Sequence, residues 1–180
     1  MKPTVYTRPQ TKIMVLCALF AALTAVLSQL SIPLPFTPVP INLATLAFFI
    51  AGGLLGPVFG AVSLTVYAIL GAVGLPVFAQ FTGGIGIILG PTGGYILGYI
   101  AGAFLTGLIA KRLSQSFWGN ILAMTAGMAV CYAMGTAWFM ISTGTGLLAA
   151  LGMCVIPFLI GDALKILFAA FLVQRLARHV

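Results

Sequence analysis

Asp162 is the only acidic residue in a chain of 180, and it stands inside an apolar run that extends from about Leu147 to Val173. Upstream, no charged side chain separates Lys12 from Lys111. Apolar stretches this long suit helices that cross a bilayer, each needing roughly 20 residues. Apolar residues make up 62% of the chain and charged residues 5%, with a mean hydropathy of +1.22. The expected class is therefore an all-α integral membrane protein, not a soluble domain. At roughly 20 residues per crossing plus connections, the chain has room for a bundle of about six transmembrane helices in a single domain, residues 1–180.

Punctuation by proline and glycine sets the expected boundaries. Residues 1–12 are polar, and a first helix follows from about Ile13 to Leu30. The apolar run there lacks the short h-region and cleavage site of a removable signal peptide, so it is expected to stay as a helix. Residues 31–40 hold four prolines in eight positions and are expected to form a stiff extended loop. A second helix, about Ile41 to Leu55, breaks near Gly56-Pro57; a third runs from about Val58 to Val73. Residues 75–90 are uncharged and glycine-punctuated, and are expected to fold back onto the protein. The fourth helix begins near Pro91, an acceptable first-turn position for proline, and ends at Lys111-Arg112. The fifth starts at Gly119 or Asn120 and runs to about Ser142; the sixth follows Thr143-Gly144-Thr145-Gly146 and ends before Arg175.

Six crossings place Lys2, Arg8, Lys12, Lys111, Arg112, Arg175 and Arg178 on one side, and the loops at 31–40, 75–90 and 143–149 on the other are uncharged. The positive-inside rule then puts both termini in the cytoplasm of a multi-pass protein. The net charge of +7 is thus a matter of topology. There is no aromatic-interleaved basic patch for nucleic acid. Cys17, Cys131 and Cys154 sit in apolar segments and read as small buried hydrophobes. One aspartate cannot supply a metal cluster, and the lone His179 lies in the basic tail, so neither a metal site nor a catalytic residue is assigned.

The chemistry therefore concentrates at Asp162 and Lys165, which share a helix face at i, i+3. A lone charge at bilayer depth costs roughly 2.5–3.5 kcal/mol on the insertion scale. Entering from outside, the sixth helix reaches Asp162 after roughly 18–22 Å of rise, near mid-membrane. Lys165 leans toward Asp162 and the outer half, and Pro157 should kink the helix just above. The expectation is a pocket opening outward, floored by this pair, in which a ligand completes the pair's hydrogen bonding. The outer loops 31–40 and 75–90 would form its lid, with Phe36, Thr37, Phe78, Gln80 and Phe81 as walls. Asn42 and Thr45 on the second helix, and Thr92 and Tyr95 on the fourth, are placed to line it. Asn42 also suits a helix cap, and Tyr95, Trp138 and Phe139 also suit the membrane interface. Such a site fits a small amphipathic ligand; spacing alone does not choose which. Gly52/56/60 and Gly90/94/98/102 recur every four residues, a pattern for close helix packing, as does the small-residue face Ala18, Ala21, Ala22, Ala25.

The segments P-F-T-P-V-P-I (35–41), G-L-P-V-F (74–78), G-P-T-G-G-Y-I-L-G-Y (90–99) and I-G-D-A-L-K (160–165) resemble the BioY family, in the same order over essentially the whole chain. These are the biotin-specific substrate-capture (S) components of energy-coupling-factor (ECF) transporters. The resemblance implies a six-helix bundle in the cytoplasmic membrane of a prokaryote that captures biotin from outside. Ligand contacts would map to Asp162 and Lys165, to 90–95 and to 35–41. The helix-one face at Ala18, Ala22 and their neighbours would dock the transmembrane coupling protein. Some relatives carry an arginine in the outer loop before the fourth helix; Gln80-Phe81-Thr82-Gly83 has none, so no group is assigned to biotin's carboxylate. The chain has no Walker A sequence, so ATP would be used only by partner subunits, with no cofactor in the chain itself. The competing transporter class, a self-sufficient secondary transporter or facilitator, is often built from repeated halves, and residues 1–90 and 91–180 show no convincing repeat.

Overall fold

The computed structural model describes residues 10–113 and 116–177. In chain order the elements are α1 (Gln10–Gln29), β1 (Ser31–Leu34), β2 (Thr37–Asn42), α2 (Ala44–Ala72), α3 (Ile85–Leu89), α4 (Gly93–Arg112), α5 (Phe117–Thr143), α6 (Leu147–Cys154) and α7 (Leu159–Leu176). Short 3-10 turns stand at Ala79–Phe81 and Ile156–Phe158. Among the described residues, five helical stretches are long and apolar enough to span a bilayer, α6 and α7 counting as one.

Helix α2 is one of the five, but it is not straight. Gly56 has φ 80° and ψ −175°, backbone that a residue with a Cβ adopts only at a cost of about 1–3 kcal/mol. Pro57 follows and cannot continue a hydrogen-bond ladder. The two halves, 44–55 and 57–72, fold back on each other: a Cβ built on Gly60 would lie 2.9 Å from the Cα of Gly52. In a straight helix, residues eight apart are separated by roughly 12 Å. The sequence break at Gly56-Pro57 is therefore a reversal.

Cross-contacts give the remaining directions. Cys17 in α1 donates to the carbonyl of Phe59. The Phe48 ring stacks on Tyr99 at 5.6 Å. Gly94, Gly98 and Gly102 of α4 meet Trp138, Cys131 and Gly127 of α5. Gly53 abuts Val173, and Thr45 bonds to Asp162. Successive helical segments thus alternate in direction, and Lys12, Lys111, Arg112 and Arg175 gather at one end. Lys2, Arg8, Arg178 and His179 lie outside the described residues.

Glycines make the tightest seam. A Cβ at Gly127 would fall 2.2 Å from Thr106 Oγ1, and one at Gly102 3.0 Å from the Gly127 carbonyl. Lipid offers no hydrophobic drive between helices, so this close approach, with its dispersion contacts, supplies much of the cohesion. Buried hydroxyls are satisfied locally: Thr24 donates to the carbonyl of Phe20 at 2.7 Å and Ser63 to that of Phe59 at 2.8 Å.

Two expectations need correction. The proline segment is not an unpaired loop in an all-α chain. It forms a small antiparallel hairpin that pairs Ser31 with Asn42, Ile32 with Ile41 and Leu34 with Thr37. An isolated two-stranded hairpin tolerates prolines because its outer N–H groups have no ladder partner to lose. The last crossing is also broken rather than merely kinked: α6 stops at Cys154, and α7 begins beyond the turn that contains Pro157.

Candidate functional site

The break around Pro157 decides where the carboxylate stands. By restarting the helix at Leu159, it puts Asp162 in the first turn of α7. Unpaired N–H groups and the helix dipole favour a negative charge there. Asp162 is buried, at 4% exposed. Its Oδ1 accepts from Lys165 Nζ at 2.8 Å and from Thr45 Oγ1 at 3.2 Å, and its Oδ2 accepts from the Tyr132 hydroxyl. Lys165 Nζ also donates to the Asn42 carbonyl at 2.7 Å and to Thr45 Oγ1 at 3.0 Å. The lysine leans back along the helix, as helical side chains do. Four elements, β2, α2, α5 and α7, therefore meet at one neutral ion pair. Removing either partner of a buried pair costs roughly 3–5 kcal/mol, because the survivor is left charged and unpaired.

Without a ligand the pair is largely satisfied by the chain itself: all three ammonium protons have acceptors, so a ligand carbonyl reaching Lys165 must exchange with one of them. The carboxylate accepts three bonds and has room for a further donor. The network borders a small hollow of about 30 Å³. This hollow shares Val39, Pro40, Asn42, Tyr95 and Tyr99 with a larger cavity of about 180 Å³ above it. Tyr67, Ile87, Thr92 and Ile96 wall the larger cavity, and Phe78, Ala79, Gln80 and Thr82 cover it. Mostly apolar walls with a few amide and hydroxyl groups over one neutral ion pair suit a small uncharged ring system with hydrogen-bonding edges. A separate apolar hollow of about 440 Å³ lies between α5 and α7, behind Tyr132 and Asp162. Leu159 and Leu167, exposed on its rim, mark that side as lipid-facing.

Asp162, Lys165, Asn42, Thr45 and Tyr95 all border the lower hollow, and Thr92, Gln80, Phe78, Asn42 and Tyr95 the upper cavity. Asn42 does two jobs. Its side-chain oxygen accepts from the Ala44 N–H at 3.0 Å, capping α2, while its carbonyl holds Lys165. Tyr95 presents its ring to the cavity, and its hydroxyl is engaged by Thr136 at 3.3 Å and the Cys154 carbonyl at 3.4 Å. Phe78 is wedged between Gly71 and Tyr67.

Phe36 and Thr37 border neither cavity. Phe36 sits at the hairpin turn, 53% exposed, and the Thr37 hydroxyl accepts from the Val39 N–H. Phe81 is exposed and also borders neither cavity. Trp138, half-buried, donates to the Gly90 carbonyl at 3.0 Å, and Phe139 is buried; neither borders the two cavities. On α1, Ala18 and Ala22 are exposed and Ala25 is half-buried. Ala21, at 2% exposed, faces inward with Cys17, Phe20, Thr24 and Ser28. It stands three residues from Ala18 on the buried stripe rather than beside it.

Sequence reasoning missed Tyr67, Tyr99 and Tyr132. Tyr99 was findable, since it lies at i+4 from Tyr95 and so on the same face. Tyr132 and Tyr67 had only a weaker signal, a phenol deep in an apolar helix that needs a partner.

A family model described as the BioY family matches residues 1–180. A biotin transporter BioY from Thermotoga maritima is 37% identical over 89% of this chain and 92% of its own. A probable biotin transporter BioY from Pyrococcus horikoshii is 40% identical over 89% of this chain and 93% of its own. Among solved structures, the crystal structure of the S-component for biotin from an ECF-type ABC transporter superposes with a TM-score of 0.89 at 31% identity, covering 98% of this chain and 96% of that one. Motifs, fold and full-length similarity agree: the chain belongs to the BioY family.

Proposed function

We propose that this chain captures biotin from outside the cell and delivers it as the S component of an ECF-type transporter in the cytoplasmic membrane of a prokaryote. It is a transporter subunit and not an enzyme. The observation that carries the reading is the cavity between the 76–82 loop and the Asp162–Lys165 pair, uncharged at its cover and ion-paired at its floor. Biotin's ureido edge matches that floor. Its N–H groups donate to Asp162, and its carbonyl accepts from Lys165 in place of the Asn42 carbonyl. Tyr95, Tyr99 and Phe78 pack the rings, while Gln80 and Thr92 offer neutral hydrogen bonds near the cover.

Six membrane crossings with both ends cytoplasmic follow if the reversal at Gly56 splits α2 between two crossings. The basic residues at one end support that count. The 31–40 and 75–90 segments serve as the lid. The exposed Ala18/Ala22 face of α1 docks the transmembrane coupling protein, whose ATPase partners supply the energy.

The test is calorimetric titration of the purified protein with biotin. Asp162→Asn and Lys165→Ala should each lose more than roughly 2 kcal/mol of binding. Unchanged affinity in both would reject the site, and no binding by the wild type would reject biotin as ligand.

A further inference from the structure

The cavity's cover is bonded at both limbs of its turn by one side chain that no part of the biotin reading requires. Gln80 and Phe81, at the centre of the 76–82 loop, have φ of 59° and 55°, two consecutive residues in the left-handed region that non-glycine residues rarely occupy. The loop's own bonds are few: Phe78 N–H to the Thr82 carbonyl at 3.0 Å, Thr82 N–H to the Ala79 carbonyl at 3.4 Å, and the Thr82 hydroxyl to the same carbonyl at 2.9 Å. None of them engages the Phe81 N–H. That group donates instead to Gln29 Oε1 at 2.8 Å, across 52 residues of sequence. The nitrogen of the same amide, Gln29 Nε2, donates to the Phe78 carbonyl at 3.1 Å and lies 3.4 Å from that of Pro76, sharing its two protons with the Ala25 carbonyl and Ser28 Oγ of its own helix, each at 3.2 Å. Ser28 beside it donates to the Val77 carbonyl.

The Gln29 amide thus acts as an extra peptide unit set into the turn, with its acceptor on one limb and its donor on the other. Gln29 is the last residue of α1. Much of this helix's surface is not packed against the bundle, with Met14, Val15, Leu19 and Val26 all exposed on it. We infer that Gln29 is a positioning residue that ties the outer end of α1 to the cover of the cavity, so that Gln80 holds its place in the wall only while α1 holds its own. A shift of α1 would then be felt at the cavity without any ligand contact to α1.

The test uses Gln29→Met, which keeps length and bulk but loses both hydrogen-bonding ends. Hydrogen–deuterium exchange of the purified, ligand-free protein reads the clamp directly, independently of what the cavity binds. Peptides covering 76–82 should exchange about tenfold faster than in wild type, with α4 and α5 peptides unchanged. The second readout rests on the biotin reading. Biotin dissociation should speed up about tenfold, and in a Gln80→Ala background Gln29→Met should add little, because the wall it positions is already gone. Unchanged exchange at 76–82 overturns the clamp. Faster exchange with unchanged dissociation, or with fully additive effects of the two substitutions, overturns its role in the site. Failure of the wild type to bind biotin would fall on the proposed ligand instead, with the exchange result still deciding the clamp.

Discussion

The floor and the cover of the cavity are held in opposite ways. At the floor, side chains from three helices and the Asn42 carbonyl of β2 converge on a buried ion pair. At the cover there is no charge at all, and one glutamine amide holds a strained backbone turn. A buried ion pair tolerates little change, because loss of one partner strands the other. A turn pinned by neutral hydrogen bonds can open and close, since each such bond contributes only about 0.5–1.5 kcal/mol net. On the proposed function, this difference divides the work into recognition at the floor and access at the cover.

If that division is right, the largest effect comes from the ion pair. Lys165→Ala should weaken biotin binding by more than roughly 2 kcal/mol in a titration, and by more than any single change at the cover. Next comes Tyr132→Phe, which removes a donor to the carboxylate and leaves the ring. A hydrogen bond to a charged group is worth about 1.5–3 kcal/mol, to be read as lost affinity by the same titration. Gln29→Met should cost about 1.4 kcal/mol, seen as a tenfold faster dissociation with little change in association. A larger loss there than at Lys165 would invert the comparison. Phe36→Ala should change affinity by less than about 0.5 kcal/mol, because the ring is exposed and borders neither cavity. An effect as large as that of Tyr132→Phe would mean that the hairpin closes over the ligand and that the cover is larger than 76–82.

What the sequence disclosed follows the same division. The floor was legible because a single carboxylate in a chain without others is a strong signal in lipid, and its i, i+3 lysine came with it. The membrane-capable helices were legible from hydropathy, though not their number as crossings, and the break inside α2 was legible from Gly56-Pro57. The partners that satisfy the pair were largely not legible. Tyr132 lies 30 residues from Asp162 and Asn42 lies 123 from Lys165, so only the packed bundle brings them together. The position of Asp162 in a first turn depended on the chain restarting at Leu159, which Pro157 hinted at without fixing. The proline segment misled for a different reason. Prolines exclude a helix but do not exclude an edge hairpin, and in that hairpin Phe36 and Thr37 border neither cavity. At the cover, the Gln29 amide left no signal, because a polar residue closing a membrane helix is unremarkable until its two ends are seen pairing with a loop some fifty positions later.

The central claim is that biotin sits between cover and floor and reaches the ion pair. An experimental structure of the protein with biotin bound tests it most directly. The account predicts the ureido edge within about 3.2 Å of Asp162 or Lys165, with the rings against Tyr95 and Tyr99 beneath Gln80. Biotin lodged in the apolar hollow between α5 and α7, with the bonds among Asp162, Lys165, Asn42, Thr45 and Tyr132 undisturbed, would contradict it.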